Sequence, residues 1–415
     1  MQPLKKPYTT VQGIEKYFPA LYGETTDYQI KRYEYAFEYF KKHFEKDSAY
    51  IASSSGRVEV CGNHTDHNGG RVVSCAISLD SLAMFLPNDE NKIYIKSEGY
   101  PEMTIDLNGP EIEKKGTSPA LVRGVVVDLL NRGYKVGGFC MYCTSSVLGG
   151  AGISSSASFE VLIAEVLNFL YNDGKICEEE KAKIAQFSER EYFGKPCGLL
   201  DQTAIAFGGL KKLDFSDKNK IVVEDTHNNL SEYTLVLINT GGSHADLVDD
   251  YASIPREMYS LANALGKERL IEIPEEKFYE LLPTVHDKVC DRAISRAIHF
   301  YGENNRVDAV ANALAKNDYQ AFLNAINEAG ISSLCLLQNC YVAGADEQPI
   351  PKALAISKKY LKGGANRVHG GGFAGTILNI VKNDNLEYFI DKMCAYYKRE
   401  DIIPLKVRSC GTIVL

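Results

Sequence analysis

The sequence predicts an α+β fold in two domains. Strand-like and helix-like runs alternate in the first half, as in 72–85 and 155–171, whereas several helix-like runs follow the short apolar segment 235–239. Paired strands combined with grouped helices are typical of α+β layers and not of a regular parallel sheet. The length of 415 residues agrees with this prediction, because it allows roughly two or three domains. We place the boundary after a polar stretch near the middle of the chain, which gives domains 1–228 and 229–415.

Each element is predicted from its hydrophobic periodicity and its end signals. The predicted strands include 58–60, 72–85, 93–95, 138–145 and 235–239. The predicted helices are 28–46, 118–132, 155–171, 178–193, 251–265, 288–300, 306–316 and 318–329. The helix that begins at Ser118 has a serine cap followed by proline in its first turn. Gly330 is expected to end the helix before it, because glycine is a frequent C-cap.

The composition excludes some classes of function. A net charge of -8 argues against a nucleic-acid partner, and it means that an anionic ligand has to be held by local donors. The eleven cysteines are scattered and indicate reduced thiols. Cys140 and Cys143 would face opposite sides of a strand, so a zinc site is not expected there. No signal peptide and no run of about 18 apolar residues is visible, so we expect a cytoplasmic protein without a membrane span.

The segment 148–158, Leu-Gly-Gly-Ala-Gly-Ile-Ser-Ser-Ser-Ala-Ser, lies between a predicted strand and a predicted helix. Its small residues allow close backbone approach to an anion, and the following helix adds its positive N-terminal end. We therefore predict a phosphate-binding loop; a flexible turn with a serine cap is the alternative. It is not a Walker loop, because no Gly-Lys-Ser/Thr follows, and the protein-kinase motifs are absent from the sequence.

Polar residues are dense in the segment 56–70, where a strand breaks into a loop. Asn63, His64 and Asp66 can hydrogen-bond several hydroxyls of a sugar, and Arg57 can meet charge on a phosphoryl group. A plain polar hairpin is one alternative. A metal site formed by His64, Asp66 and His67 is another.

Two further segments carry candidate groups. Asp201 lies between apolar neighbours near a glycine, where it could accept a proton from a hydroxyl, although a helix-capping role is the simpler alternative. Glu189 on the preceding helix could complete a magnesium site with a loop serine, or it could lie on a solvated helix face. The glycine-rich run 369–377 resembles a second ligand-facing loop, with a hairpin turn as its alternative.

These four segments, in this order, resemble the galactokinases, which belong to the GHMP family of small-molecule kinases. The galactokinase signature Gly-Arg-Val-Asn-x-x-Gly-Glu-His-Thr-Asp-Tyr-Asn matches the chain from Gly56, and the family motif Pro-x-Gly-x-Gly-Leu-Ser-Ser-Ser-Ala matches the glycine loop. The resemblance implies an N-terminal domain like ribosomal S5 domain 2, with a mixed sheet and helices, and a ferredoxin-like C-terminal domain. It also implies an active site in the cleft between them, with ATP and Mg²⁺ as cofactors.

The resemblance implies a role for each matching residue. Arg57 matches the arginine near the transferred phosphate, and Asp201 matches the aspartate that engages the anomeric hydroxyl of the sugar. The implied substrate contacts are Asn63, His64, Asp66, Gly198 and Tyr251. The implied ATP contacts are Gly150, Ala151, Gly152, Ser154, Ser155 and Ser156. Ser155 or Ser156, together with Glu189, falls where the family binds magnesium.

The chain departs from the family pattern at several positions. It has Glu59 for Asn, Asn63 for Glu, His67 for Tyr and Leu148 for Pro. An amide donates as well as accepts hydrogen bonds, so a carboxylate on the substrate would be less repelled. Galacturonate is therefore an alternative to galactose. We favour galactose, because changes in polar contacts can be compensated elsewhere in a pocket.

Two other functions are considered. Arg57, Asp201 and the Ser-Ser-Ser-Ala run are all present, which argues against a non-catalytic sensor that binds sugar and ATP. The His64-Thr65-Asp66 segment argues against a GHMP kinase for another acceptor, such as mevalonate or homoserine. The expected partner is a small sugar, with no nucleic acid and no membrane, and the chain is expected to be a monomer or a weak homodimer.

Overall fold

The computed structural model describes residues 6–109, 114–147, 152–228, 230–241, 248–373 and 375–415. Its strands are β1 (Tyr50–Cys61), β2 (Arg71–Pro87), β3 (Lys92–Ser97), β4 (Met103–Asp106), β5 (Phe139–Ser145), β6 (Leu210–Asp214), β7 (Val222–Asp225), β8 (Tyr233–Asn239), β9 (Ala365–Val368), β10 (Thr376–Lys382), β11 (Ile402–Leu405) and β12 (Ile413–Val414). Its helices are α1 (Phe18–Tyr22), α2 (Asp27–Phe44), α3 (Ser118–Asn131), α4 (Ser155–Tyr171), α5 (Glu178–Phe187), α6 (Leu200–Phe207), α7 (Val248–Ala264), α8 (Glu275–Leu281), α9 (Asp291–Ala315), α10 (Tyr319–Ser332), α11 (Pro349–Tyr360) and α12 (Leu386–Met393). The predicted α+β fold is confirmed.

The larger sheet has the strand order β12-β1-β2-β5-β3-β4, and the β6–β7 hairpin pairs with the first part of β2. All its pairs are antiparallel except β3 with β5. Both faces are covered. Tyr50 and Ala52 pack with α3 and α4, whereas Ile51 packs with α2 on the other side. Because both faces are covered, every residue of β1 and most residues of β2 are buried, and burial does not alternate along these strands.

The smaller sheet has the order β11-β8-β10-β9 and is antiparallel. One face packs on α11 and α12, and the other packs on α9, α10 and the strands β1 and β2. The chain passes between the sheets after β7, near the predicted boundary. It returns at its end, where Val414 of β12 pairs with Ala52 of β1. The division into 1–228 and 229–415 stays a prediction.

The helices predicted at 288–300 and 306–316 are one helix, α9. The prediction was wrong because Gly302 and two asparagines disfavour a helix locally, whereas their neighbourhood is fixed by tertiary contacts. The Glu303 carboxylate accepts hydrogen bonds from the N–H groups of Gly62 and Asn63 at 2.9 and 3.2 Å. The Asn304 side-chain oxygen accepts one from the backbone N–H of Arg71 at 2.7 Å.

Two predicted helix ends also differ. Gly330 does not end α10, which continues to Ser332 and into the π-helical turn Ser333–Leu337. A Cβ at Gly330 would lie 2.8 Å from the Asn366 carbonyl oxygen, so this glycine permits close packing on β9. The helix predicted over 178–193 ends at Phe187 and continues as the π-helical segment Ser188–Phe193. Such segments occur often at functional sites.

Within the described ranges, no helix combines the length and the apolar character that crossing a bilayer requires.

Candidate active site

A pocket lies where β1, the loop after it, the start of α6 and the glycine-rich loop before β10 meet. It is lined by Arg57, Glu59, His64, Asp66, Lys195, Cys197, Gly198, Leu200, Asp201, Tyr251, Gly370 and Gly371. Six of the residues predicted from the sequence are therefore brought together, although they are up to 194 positions apart in the chain (251 − 57).

The strand β1 is irregular where it meets this pocket. Its pairing with β2 shifts register between Ser55 and Arg57 and again between Glu59 and Cys61. Bulges of this kind bend a strand and redirect its side chains. A Cβ at Gly56 would lie 2.9 Å from the carbonyl oxygen of Ile153. Glycine at this position thus allows β1 to approach the end of the predicted phosphate loop.

Arg57 and Asp201 form a bidentate ion pair in the pocket. The Arg57 Nε and Nη2 atoms donate to the two Asp201 oxygens at 2.7 and 2.9 Å. The Ser154 hydroxyl also donates to Asp201. Burial raises the pKa of Asp201, but the positive charge of Arg57 and these hydrogen bonds outweigh it, so that the pKa lies below its ordinary value. Asp201 is therefore an ionised acceptor at neutral pH.

The same arginine connects the pair to the glycine loop. Its Nη1 donates to the carbonyl oxygen of Gly152 at 2.5 Å. Gly152 and Ser154 both have positive φ, of 70° and 62°, a conformation that is costly for serine. Gly150 and Ala151 of the predicted ATP contacts, with Leu148, lie outside the described residues. The described end of the loop leads directly into α4, whose first residues are Ser155 and Ser156.

Glu189 lies beside the start of α4. It accepts hydrogen bonds from the Ser156 hydroxyl at 2.8 Å, from the Lys195 ammonium at 2.9 Å and from the Gln202 amide at 2.8 Å. Burial, and then the negative charge of Glu189, raise the pKa of the neighbouring Glu160 well above its ordinary value. The Ser156 hydroxyl and the Glu189 carboxylate together offer the oxygen ligands that Mg²⁺ prefers. The residues present thus fit the predicted magnesium site.

Asp66 and Gly198 form one wall of the pocket. The Asp66 carboxylate accepts a hydrogen bond from the Leu200 N–H at 3.4 Å. A Cβ at Gly198 would lie 1.6 Å from an Asp66 oxygen, so only glycine allows this wall to form. Burial, and then the charge of Asp201, raise the pKa of Asp66 to about 6.

His64 and Tyr251 lie next to each other, with ring centroids 5.3 Å apart. Burial lowers the pKa of His64 to about 4, so that the ring is neutral. Its Nε2 lies 3.1 Å from the Gly371 carbonyl oxygen and donates to it. His64 has a φ of 57°, which is strained for a residue with a Cβ. The loop predicted to face a ligand around Gly371 therefore fixes the histidine ring.

Asn63 does not line the pocket, contrary to the prediction of a substrate contact. It is fully buried. Its amide nitrogen donates to Glu59 at 3.0 Å and to the Gly370 carbonyl at 2.8 Å, and its oxygen accepts from Asn339 at 2.8 Å. These bonds use the amide within the protein, so its role here is to hold the loop.

Glu59 is a pocket residue that the sequence analysis did not select. The signature has Asn at this position and Glu four residues later, whereas this chain has Glu59 and Asn63, and the two side chains are hydrogen-bonded. The Arg367 guanidinium also donates to Glu59 at 2.7 Å. Relative to the signature, Asn and Glu are exchanged between positions 59 and 63, and this exchange is the signal in the sequence that could have identified Glu59 as a pocket residue. Lys195 and Cys197 also line the pocket. Cys197 lies next to Gly198 in the segment that carries Asp201 but was not selected as a contact, and Lys195 carried no recognisable signal in the sequence.

The alternative of a metal site at His64, Asp66 and His67 is not supported. Across the described ranges, no group of three or more His, Cys, Asp or Glu side chains is arranged to hold a metal ion.

Two family models match the chain. The galactokinase galactose-binding signature matches residues 38–86, and the GHMP kinases N terminal domain matches residues 120–209. The galactokinase of Clostridium tetani is 30% identical over 367 residues, which are 87% of this chain and 91% of that protein. The galactokinase of Lactococcus lactis is 28% identical over 389 residues, with 92% and 90% covered.

Solved structures share the fold. The Lactococcus lactis galactokinase in complex with galactose has a TM-score of 0.77 at 22% identity, with 98% of this chain and 100% of that chain covered. The Methanococcus jannaschii mevalonate kinase has a TM-score of 0.61 at 16% identity, with 87% and 99% covered. The fold and the pocket thus define a GHMP kinase, a class of phosphotransferases that act on a hydroxyl group. Within this class, the chain belongs to the galactokinase family.

Proposed function

We propose that this protein transfers the γ-phosphoryl group of MgATP to the C1 hydroxyl of galactose. The observation that carries the proposal is the Arg57–Asp201 pair, which is bonded on one side to the end of the glycine loop and lines the pocket on the other. The phosphoryl donor and the sugar hydroxyl that accepts the phosphoryl group would therefore both be bound next to this pair of side chains.

The roles of the two residues follow from their charge. Asp201 is ionised by its contact with Arg57, so it can orient the sugar hydroxyl and accept its proton. Arg57 lies between this carboxylate and the loop and can stabilise charge on the phosphoryl oxygens. MgATP, when bound, supplies the phosphoryl group and part of the positive charge around it. Most of the rate gain should come from positioning and charge stabilisation.

The magnesium ion would be held by Ser156 and Glu189. Their side chains are already in contact, and Lys195 and Gln202 fix the carboxylate from two other directions. Ser155 is the alternative serine, at the first position of α4. The contact of Ser156 with Glu189 favours Ser156.

Charge in the pocket favours a neutral sugar over galacturonate. The galactokinase signature has a glutamate where this chain has Asn63. In this chain Glu59 supplies a carboxylate to the pocket instead, and Asp66 and Asp201 line the same pocket. The Lys195 ammonium, which could attract a substrate carboxylate, is paired with Glu189 at 2.9 Å. A carboxylate on the substrate would thus face Glu59, Asp66 and Asp201. The two cations that line the pocket among the described residues, Arg57 and Lys195, are already paired with carboxylates of the protein, so repulsion should prevail.

A panel of sugars tests this proposal. Phosphorylation of galactose, galacturonate, N-acetylgalactosamine, glucose and arabinose is measured with a coupled ADP assay, with and without sugar. Galactose should give the highest kcat/KM, with galacturonate at least ~10-fold lower, as one unfavourable charge contact implies. Sugar binding without any turnover would indicate the sensor function instead, and a preference for galacturonate would reject the assignment of the substrate.

We expect Glu59→Gln to raise the KM for galactose about 10-fold or more, with a smaller change in kcat. The amide keeps the shape and one acceptor but loses the charge, and hydrogen bonds to charged groups contribute about 1.5–3 kcal/mol. The discrimination against galacturonate should fall at the same time. The measurement is steady-state kinetics with both sugars.

Glu303→Gln is the matched control for this substitution. Glu303 is a buried carboxylate of the same region that holds the Gly62 and Asn63 N–H groups but does not line the pocket. Glu303→Gln should lower the melting temperature without changing the ratio of kcat/KM for galactose to kcat/KM for galacturonate. A wild-type KM in Glu59→Gln would show that Glu59 does not contact the sugar.

The kcat/KM for galactose should fall as the pH drops below about 6. The pKa of Asp66 in the free enzyme is raised to about 6, so the carboxylate that accepts sugar hydroxyls is lost on the acid side of this value and is present above it. The KM for ATP should not change in the same way over this acidic pH range. In Asp66→Asn, kcat/KM should be low and flat over this range; an unchanged acid limb in this variant would assign it to another group.

A further inference from the structure

A second cavity, of about 250 Å³, lies behind the sugar pocket and shares Asp66, Cys197 and Gly198 with it. Its walls carry a concentration of positive charge on a chain whose net charge is -8. The basic residues that line it are Lys183, Arg190, Lys218, Lys220 and Arg269, whereas Asp66 and Asp217 are the acidic ones. Such a local excess of one sign in a concave site concentrates ions of the other sign.

Three of these basic residues have partners within the protein. Lys183 is paired with Glu179 at 2.8 Å, and Lys218 lies 3.5 Å from Glu272. Arg269 donates to the carbonyl oxygen of Ser216 at 2.8 Å.

The other two are not held by such contacts, although the positive charge of Lys220 contributes to lowering the pKa of Glu179. In the described part of the chain, Arg190 and Lys220 have no hydrogen-bond acceptor and no carboxylate within salt-bridge distance. Arg190 belongs to the π-helical segment Ser188–Phe193, next to Glu189. Two adjacent residues of this π-helical segment therefore reach two different sites. Glu189 lies at the active site, and Arg190 lines the second cavity.

His67, which also lines this cavity, carries an unpaired donor. The Asn68 side-chain oxygen accepts a hydrogen bond from the Leu270 N–H at 3.1 Å, which fixes the orientation of the amide. Its nitrogen therefore donates to His67 Nδ1 at 2.9 Å. Because Nδ1 accepts, the ring proton of the neutral histidine is on Nε2. This Nε2 is buried and has no partner in the described structure, and an orphan donor of this kind is costly unless a ligand or water meets it.

We propose that this cavity binds a phosphate monoester, a dianion with three terminal oxygens, at Arg190, Lys220 and His67. The planar fork of an arginine matches phosphate oxygens, and a lysine adds a point charge. The histidine N–H supplies a neutral donor. The volume exceeds that of a phosphate group alone, so the organic part of a small phosphorylated metabolite has room beside it.

Binding in the cavity should oppose binding of the sugar. Asp66 belongs to both walls, and a dianion behind it makes its ionised form less favourable. The site thus gives a phosphorylated metabolite a way to lower the occupancy of the sugar pocket. This inference concerns binding and does not require that the proposed reaction is correct.

Inorganic phosphate is the probe for a calorimetric titration. The full-length protein is first saturated with Mg²⁺ and a non-hydrolysable ATP analogue, so that the phosphate loop is occupied. Wild type should then bind phosphate at one further site. The double variant Arg190→Ala/Lys220→Ala should weaken this binding at least 10-fold, and His67→Phe several-fold, while galactose should weaken binding to wild type several-fold.

Lys31→Ala/Lys398→Ala is the matched control, since both lysines are exposed and the change in net charge is the same. It should bind phosphate as wild type does, and potassium chloride at equal ionic strength should give no saturable signal. Equal affinity in all variants, or no binding beyond the occupied loop, would overturn the proposal. Equal affinity with and without galactose would overturn the opposition between the two sites.

Discussion

Asp201→Asn is expected to lower kcat by at least ~10³-fold, the range of a lost proton acceptor combined with lost orientation. The amide has nearly the same shape, so the pocket should stay intact, but it is neutral and cannot accept the hydroxyl proton. Arg57 would also lose its bidentate partner. The measurement is kcat at saturating galactose and MgATP.

The control for this variant is binding of a non-hydrolysable ATP analogue. Asp201 has no hydrogen bond with Ser155 or Ser156, and the oxygen of an asparagine can still accept from the Ser154 hydroxyl. The dissociation constant of the analogue should therefore stay within a few-fold of wild type. Full turnover in Asp201→Asn would refute the assignment. Loss of both turnover and nucleotide binding would point to a structural role.

Arg57→Ala should have the second-largest effect, a decrease of kcat of about 10²–10³-fold, as expected for the loss of one group that stabilises charge in the transition state. It also leaves the partly buried Asp201 without its cation. The net pKa of Asp201 is low because of this cation, so its removal should raise that pKa, and the residual activity should shift to higher pH. A pH profile of kcat measures both effects.

Arg57→Lys separates charge from geometry. A lysine keeps the positive charge but cannot make the planar, two-bond contact with Asp201. It should therefore keep the wild-type pH profile more closely than alanine while kcat remains reduced. If Arg57→Ala retained both the wild-type kcat and its pH profile, Arg57 would be a residue of the fold and not of the reaction.

The sequence was sufficient to predict those elements whose structure depends on interactions between residues that are near in the chain. The helix predicted over 155–171 has those bounds in α4, because its serine start and apolar stripe are near in sequence. The candidates Arg57, His64, Asp66 and Asp201 were found because each lies in a dense, recognisable motif.

Prediction from the sequence was wrong where contacts between residues far apart in the chain determine the local structure. Nothing local shows that Glu303 would hold the loop after β1, and this contact makes one helix of what looks like two. The same loop turns Asn63 inward to Asn339 and Gly370, which are about 300 positions away.

The sequence by itself determined the class of this protein, because its phosphate loop and sugar motif are contiguous segments whose chemistry is carried by neighbouring residues. Only the tertiary structure decided which carboxylates line the pocket. Glu59 reaches the pocket, and Asn63 does not, because bulges in β1 and buried partners from the C-terminal half fix their directions. The orientation of a side chain depends on contacts that the chain forms only after it has folded.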